Sequence, residues 1–288
     1  MNLSKLLSLN NRLTQDLCLY RIVMANEIIM LGTGNAFLPN GRHHSFAIID
    51  KCHIIDAPPT ALISLRENGI KISNIETIFI THLHGDHVFG LPFLLLERTY
   101  ISDRELVKPL TIVAAPGARE RIEEICHLAY PNSLMPILSK IIWQEAKQGQ
   151  TENGLMWNRF KVNHDEKVDP HGYKFITKDG AKFTHSGDSG PCVNLTKAIS
   201  ETDLIIIEMS IPNWVPSPFH HKPSDIEDLG NSNPEKLFVI THTFIDDKYS
   251  KFEEITTKEF PKHPENVIHA GDGTVISWEN GWSIRKIK

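Results

Sequence analysis

The sequence predicts an α/β protein folded as a four-layer αββα sandwich, and three observations carry that expectation. Short apolar runs of strand length alternate with helical patterns along the chain, the runs gather into two β-rich halves, and each half brings helices that need a sheet face to cover. No Gly/Ser linker, internal repeat or low-complexity tract separates the halves, so residues 25–288 read as a single domain.

Residues 1–24 stand apart. Met24-Ala25-Asn26 runs directly into a strand pattern, so this stretch reads as an N-terminal extension with Met24 as a second candidate start. Strands are expected at Glu27–Leu31, Phe46–Ile49 and His53–Asp56, then a helix over Thr60–Asn68 and a buried strand at Thr77–Ile80. A helix over Leu91–Tyr100 precedes a strand at Leu110–Ala114, and Pro116-Gly117 opens a helix from Ala118 to Ala129. The second half offers strands at Arg159–Asn163, Tyr173–Thr177, Lys182–His185, Leu204–Glu208, Leu237–Thr241, Val267–His269 and Val275–Trp278. Helices are expected there at Val193–Ser200, Ser224–Leu229 and Lys251–Glu259.

Composition narrows the function classes. Hydrophobic residues make up 41% of the chain and charged residues 23%, ample for a sizeable core and far from a disordered profile. The net charge is −5 and the Lys and Arg residues are scattered, so no basic tract advertises a nucleic-acid surface. No apolar stretch approaches the ~20 residues of a membrane span, and polar residues interrupt any signal-peptide core. Cysteines at 18, 52, 126 and 192 lack CxxC spacing, which suits a reducing compartment. A cytoplasmic location and no membrane partner are therefore expected; a homodimer is one assembly the sequence allows.

The anomaly is histidine, with 15 residues in the chain. The apolar strand ending at Ile80 turns abruptly into Thr81-His82-Leu83-His84-Gly85-Asp86-His87. Imidazoles at i and i+2 face one side of an extended segment, while Gly85 lets the backbone turn so that Asp86 and His87 can face a second position. That pattern suits two ions, and imidazole with carboxylate is a donor set zinc takes readily.

His82-Leu83-His84-Gly85-Asp86-His87 resembles the HxHxDH signature of the metallo-β-lactamase superfamily, and the likeness extends over residues 26–280. Val162-Asn163-His164 resembles the histidine of the third motif, Ser186-Gly187-Asp188 the motif of the bridging aspartate, and Thr241-His242 the final histidine. The resemblance implies the metallo-β-lactamase type of αββα sandwich with two divalent cations, zinc first and Mn2+ or Fe2+ as alternatives. One ion would be held by His82, His84 and His164, the other by Asp86, His87 and His242, with Asp188 bridging. His171 and His185 compete for the third position and rank below His164.

Within the superfamily the likeness is to the ribonuclease Z branch and its phosphodiesterase relatives. Leu31-Gly32-Thr33-Gly34 resembles their opening LGTG and Ile54-Ile55-Asp56-Ala57 their (I/F)DCG element. Ile206-Ile207-Glu208-Met209-Ser210 resembles their HEAT motif and His221-Lys222-Pro223-Ser224 their HST motif. Ile207 and Ala57-Pro58 depart from those patterns. The resemblance assigns a proton relay to Glu208 and His221, with the adjoining His220 as the alternative donor.

The implied chemistry is hydrolysis by a hydroxide held between the two ions, with Asp86 orienting the water as well as binding metal. The interval between His164 and Asp188 is too short for the long basic arm with which ribonuclease Z grips tRNA. A small or short nucleotide-type phosphodiester is therefore the expected substrate. A lactone or acyl ester is the first alternative and tRNA 3′ processing the second; a non-catalytic metal-binding module is disfavoured because all seven ligands have candidates. Ile211–Phe219, whose prolines exclude a helix or central strand, reads either as a substrate-facing loop in which Trp214 or Phe219 stacks, or as a packed surface loop.

Overall fold

A computed structural model describes residues 26–244, 263–279 and 281–286. The expected extension at 1–24 and the expected helix at Lys251–Glu259 lie outside the described residues.

Two mixed sheets stack face to face. The first has the order β15-β14-β1-β2-β3-β4-β5-β6, formed by Ser283–Lys286, Thr274–Ser277, Glu27–Gly32, Phe46–Ile49, His53–Ile55, Thr77–Phe79, Thr111–Val113 and Ile142–Gln144. The second has the order β13-β12-β11-β10-β9-β8-β7, formed by Val267–His269, Leu237–Thr241, Leu204–Glu208, Lys182–His185, His171–Ile176, Met156–Lys161 and Gln148–Gln150. The short strands β6, β7 and β15 have no counterpart in the sequence expectation. Gln148-Gly149-Gln150 carries no apolar alternation, so pairing with β8 defines it as a strand.

Period-2 alternation builds the layers. Ile28 and Met30 of β1, Ala47 and Ile49 of β2 and Phe79 of β4 face the second sheet, where they meet Tyr173, Phe175, Phe183, Leu204, Ile206 and Val239. The intervening Ile29, Leu31, Phe46, Ile48 and Ile78 face outward under helices α1 (Ala61–Glu67), α3 (Leu91–Glu97), α4 (Ala118–Ala129) and α5 (Met135–Leu138). On the far side Ile205, Ile207, Phe238 and Ile240 pack under α6 (Val193–Ser200) and α7 (Pro223–Ser232). Strands apolar on both faces are what a sheet covered by helices on one side and a second sheet on the other requires. The four layers are thus α, β, β, α.

One topological fact positions the site. Strands β3 and β4 run parallel in the first sheet, and β10, β11 and β12 run parallel in the second. Strand β8 is antiparallel to β9, itself antiparallel to β10, so β8 points the same way as β10. The segments that follow β4, β8, β10 and β12 bring His82, His164, Asp188 and His242 together at one edge of the sandwich.

Candidate active site

The loop after β4 supplies four side chains. His84 lies on extended backbone, and Gly85 begins a single helical turn, α2 (Gly85–Val88), which swings Asp86 and His87 to the other side. Gly187 takes a left-handed backbone, φ 59°, and a Cβ there would lie 2.6 Å from the His171 carbonyl oxygen, so glycine is needed to deliver Asp188. His242 also has a left-handed backbone, φ 48°, an uncommon conformation for a non-glycine residue and one concentrated at functional positions.

Two donor sets result. His82 Nε2 and His164 Nε2 each lie 3.1 Å from His84 Nδ1, and Asp188 Oδ2 lies 3.7 Å from His82 Nε2. On the other side Asp86 Oδ2 lies 3.6 Å from His87 Nε2 and 3.4 Å from His242 Nε2. Asp188 faces this set too, with Oδ1 3.5 Å from His87 Nε2 and Oδ2 3.4 Å from His242 Nε2. Such spacings match the edges of a tetrahedron around zinc, roughly 3.3 Å for bonds of about 2.0–2.1 Å.

Outer hydrogen bonds fix which nitrogen of each ring faces inward. Thr81 Oγ1 donates to Asp56 Oδ2 (2.7 Å), so it accepts from His82 Nδ1 at 3.0 Å. His87 Nδ1 donates to Asp56 Oδ2 (2.8 Å), and His164 Nδ1 donates to the Phe219 carbonyl (3.1 Å). Ser210 Oγ donates to the His242 carbonyl and therefore accepts from His242 Nδ1. Four imidazoles thus present an unprotonated Nε2 inward when neutral, which is the arrangement of a metal-binding histidine shell. His87 Nε2 is fully buried with no hydrogen-bond partner, an orphan that a cation would satisfy.

Electrostatics agree. Burial penalises a charge on His87, yet Asp188, Asp56 and Asp86 together raise its pKa well above the ordinary value. Burial would push Asp188 up, but His242, His87 and His82 hold it well below the usual carboxylate range. Asp86 is depressed in the same way by His87 and His242 against its own burial. Two buried carboxylates, Asp56 and Asp188, and the partly buried Asp86 face imidazoles and make a pocket that favours positive charge.

The structure pairs Glu208 with His220 and not with His221. His221 is 2% exposed and its Nδ1 donates to the Ser189 carbonyl. Its ring lines a cleft of about 260 Å³ between α6 and α7, away from the donor sets. His220 Nδ1 instead donates to Glu208 Oε1 at 2.8 Å, and its ring lies 4.8 Å from that of His164 and stacks 6.2 Å from that of His242. Burial works against a charge on His220, but Glu208 more than offsets it and lifts the imidazole to about 9. The reason lies at Gly190, where a Cβ would stand 1.7 Å from the Pro218 carbonyl oxygen. That close approach seats the 217–221 loop so that the first histidine of the pair, not the second, meets Glu208.

His171 and His185 fall outside both sets. His171 Nδ1 donates to the Asp169 carbonyl, and His185 Nδ1 accepts from Gly187 N beneath the Asp188 turn. Two contributors were not anticipated as site residues. Asp56, φ 66° and 1% exposed, accepts from Thr81 N, Thr81 Oγ1 and His87 Nδ1. His44, buried, feels the charges of Asp86, His87 and His242, and its Nδ1 lies 3.3 Å from Thr60 Oγ1. The Ile54-Ile55-Asp56-Ala57 likeness signals the first; nothing in the sequence signals the second. Trp214 and Phe219 are 56% and 45% exposed, on a loop tied to the site by the Phe219 and Pro218 carbonyls.

A two-sheet sandwich with His/Asp clusters at one edge is the architecture of the metallo-β-lactamase superfamily of metal-dependent hydrolases. A family model described as anti-Pycsar protein Apyc1 matches residues 26–262, and the chain belongs to that family. It is similar to the ribonuclease Z of Oceanobacillus iheyensis, 32% identical over 160 residues, which are 53% of this chain and 50% of that protein. The chain thus spans about half the length of the first curated relatives it matches. In fold it is similar to the short form of human tRNase Z (TM-score 0.65, 23% identity, 87% of this chain and 98% of the other). It is equally similar to the metallo-β-lactamase fold protein YhfI of Bacillus subtilis (TM-score 0.65, 16% identity, 86% and 98%).

Proposed function

We propose that the protein is a binuclear phosphodiesterase acting on small nucleotide-type phosphodiesters. The observation that carries this reading is the pair of donor sets sharing Asp188, overhung by the Glu208–His220 pair. Two divalent cations bound there, zinc by the chemistry of the donors, would supply Lewis acidity and a water acidic enough to ionise near neutral pH.

The chain's own residues do the rest. Asp188 would offset the repulsion between two such cations, and Asp56 orients His87 and Thr81 from behind. Glu208 also accepts from Ser189 N and Ser210 N, so its carboxylate is fixed and holds His220 protonated, with Nε2 as the donor toward a leaving oxygen. Phe219, its ring 6.4 Å from that of His164, offers an aromatic face beside the site, suited to a base.

A second reading, tRNA 3′ processing, is favoured by the ribonuclease Z relatives. Against it stand the net charge of −5 and the interval between His164 and Asp188, which strands β9 and β10 occupy, leaving no room for a basic arm. Zinc-loaded protein assayed on bis-p-nitrophenyl phosphate, 2′,3′- and 3′,5′-cyclic nucleotides, lactones and pre-tRNA tests these readings. Phosphodiesters should show the highest kcat/KM and pre-tRNA little cleavage. Lactone turnover ahead by orders of magnitude would replace the proposal with the acyl-hydrolase alternative.

A further inference from the structure

At the pole opposite this site, a second cluster of metal-donor side chains has no part in the proposed hydrolysis. The β2–β3 hairpin turns through Asp50 and Lys51, both with left-handed backbones, and delivers Cys52 and His53. The Cys52 carbonyl accepts from Glu76 N (2.8 Å) and Thr77 N (3.3 Å), which fixes Glu76 beside them at the start of β4. A sulfur, a ring nitrogen and a carboxylate oxygen from Cys52, His53 and Glu76 lie within 4.8 Å of one another. Cys52 is 6% exposed and His53 0%, while Glu76 opens the cluster to solvent.

What lies against two of these donors is informative. Asn153 reaches over from the turn between β7 and β8 of the other sheet, and its Nδ2 lies 2.6 Å from His53 Nε2 and 3.6 Å from Cys52 Sγ. An N–H group directed at two lone-pair donors holds the place a cation would take. Because Nε2 accepts from Asn153, the ring proton is on His53 Nδ1, which is buried without a partner. The surroundings are negative: Glu152 acts on Glu76, and Asp50 and Glu76 act on Cys52, with Lys108 as the countercharge.

We propose that Cys52, His53 and Glu76 form a separate metal site for a zinc-class divalent cation at the pole opposite the hydrolase site. Thiolate with imidazole and carboxylate is a donor set that selects zinc over magnesium or calcium. Binding releases the Cys52 thiol proton to solvent, displaces the Asn153 amide N–H, and leaves water to complete four-coordination.

Cobalt(II) reads this site apart from the other, because none of the seven donors of the hydrolase site is a cysteine. Metal-stripped protein titrated with Co2+ should develop a near-ultraviolet thiolate-to-cobalt charge-transfer band. The band should be lost in Cys52→Ser and retained in Asp188→Ala. In Glu76→Ala, a change at an exposed position, half-saturation of the band should move to at least about tenfold higher Co2+. Absence of the band in the wild-type protein overturns the proposal, whatever the hydrolase site binds. So does a band that survives Cys52→Ser or depends on Asp188.

Discussion

The two poles of the sandwich use the same residue type to opposite ends. Asp50, which follows β2, and Asp56, which follows β3, both have left-handed backbones, φ 50° and φ 66°, and both are buried. Asp56, at the site pole, accepts three hydrogen bonds of 2.7–2.8 Å that hold Thr81 and His87 in place. Asp50, at the far pole, accepts from Glu27 N at 3.3 Å, and burial lifts its pKa to about 6. A buried carboxylate is tolerated where donors and cations meet it and penalised where they do not. Substitutions at the site pole should therefore cost function, and at the far pole change stability.

Asp188→Ala should show the largest effect, since its carboxylate faces both donor sets. Elemental analysis should find both ions depleted, with activity down on the order of 10³-fold or more. Asp86→Ala should deplete one ion and leave the other, and equal depletion in the two variants would deny Asp188 its bridging place.

The adjoining histidines sharpen the contrast within one loop. His220→Ala should lose ~10²–10⁴-fold on alkoxide leaving groups, lose much less on p-nitrophenolate, and keep its metal. Glu208→Gln should show the same dependence, with the double variant little worse than either. His221→Ala should keep the wild-type leaving-group profile and lose stability instead, because it vacates a buried ring. If the leaving-group dependence follows His221, the geometric assignment is wrong.

Asp56→Asn keeps a residue that accepts left-handed backbone but removes the charge. Metal affinity should fall ~10–100-fold while the fold persists, measured by competition with a chelator. Wild-type affinity in this variant would mean that His87 needs no orienting carboxylate.

Asp50→Asn should give the smallest change, and one of opposite sign. A carboxyl at about 6 in the folded chain and 3.8 ordinarily favours folding in its protonated form. The penalty is absent below 3.8, grows as pH rises toward 6, and is full above it. The variant should thus be more stable than wild type at pH 8, by up to about 3 kcal/mol, and nearly equal at pH 3.5. Urea midpoints at the two pH values measure it, and a gain of the same size at both would point away from ionisation.

The sequence alone determined the strands and the ligand loop, because both rest on local rules. Apolar runs of strand length bounded by turns locate β1 to β5 and β8 to β14 to within a few residues, and His82-Leu83-His84-Gly85-Asp86-His87 places four donors by backbone geometry that needs no distant partner. His164, Asp188 and His242 were legible only through motif likeness, since each is a lone polar residue after a strand. Only parallel registry across two sheets decides that those strand ends meet. Neither His44 nor the choice of His220 over His221 follows from spacing. The loop's seating depends on Pro218 lying against Gly190, a contact between residues far apart in sequence. Asp50 and Asp56 share a backbone conformation, and the motif likeness around Asp56 does not show which donors folding brings to each carboxylate.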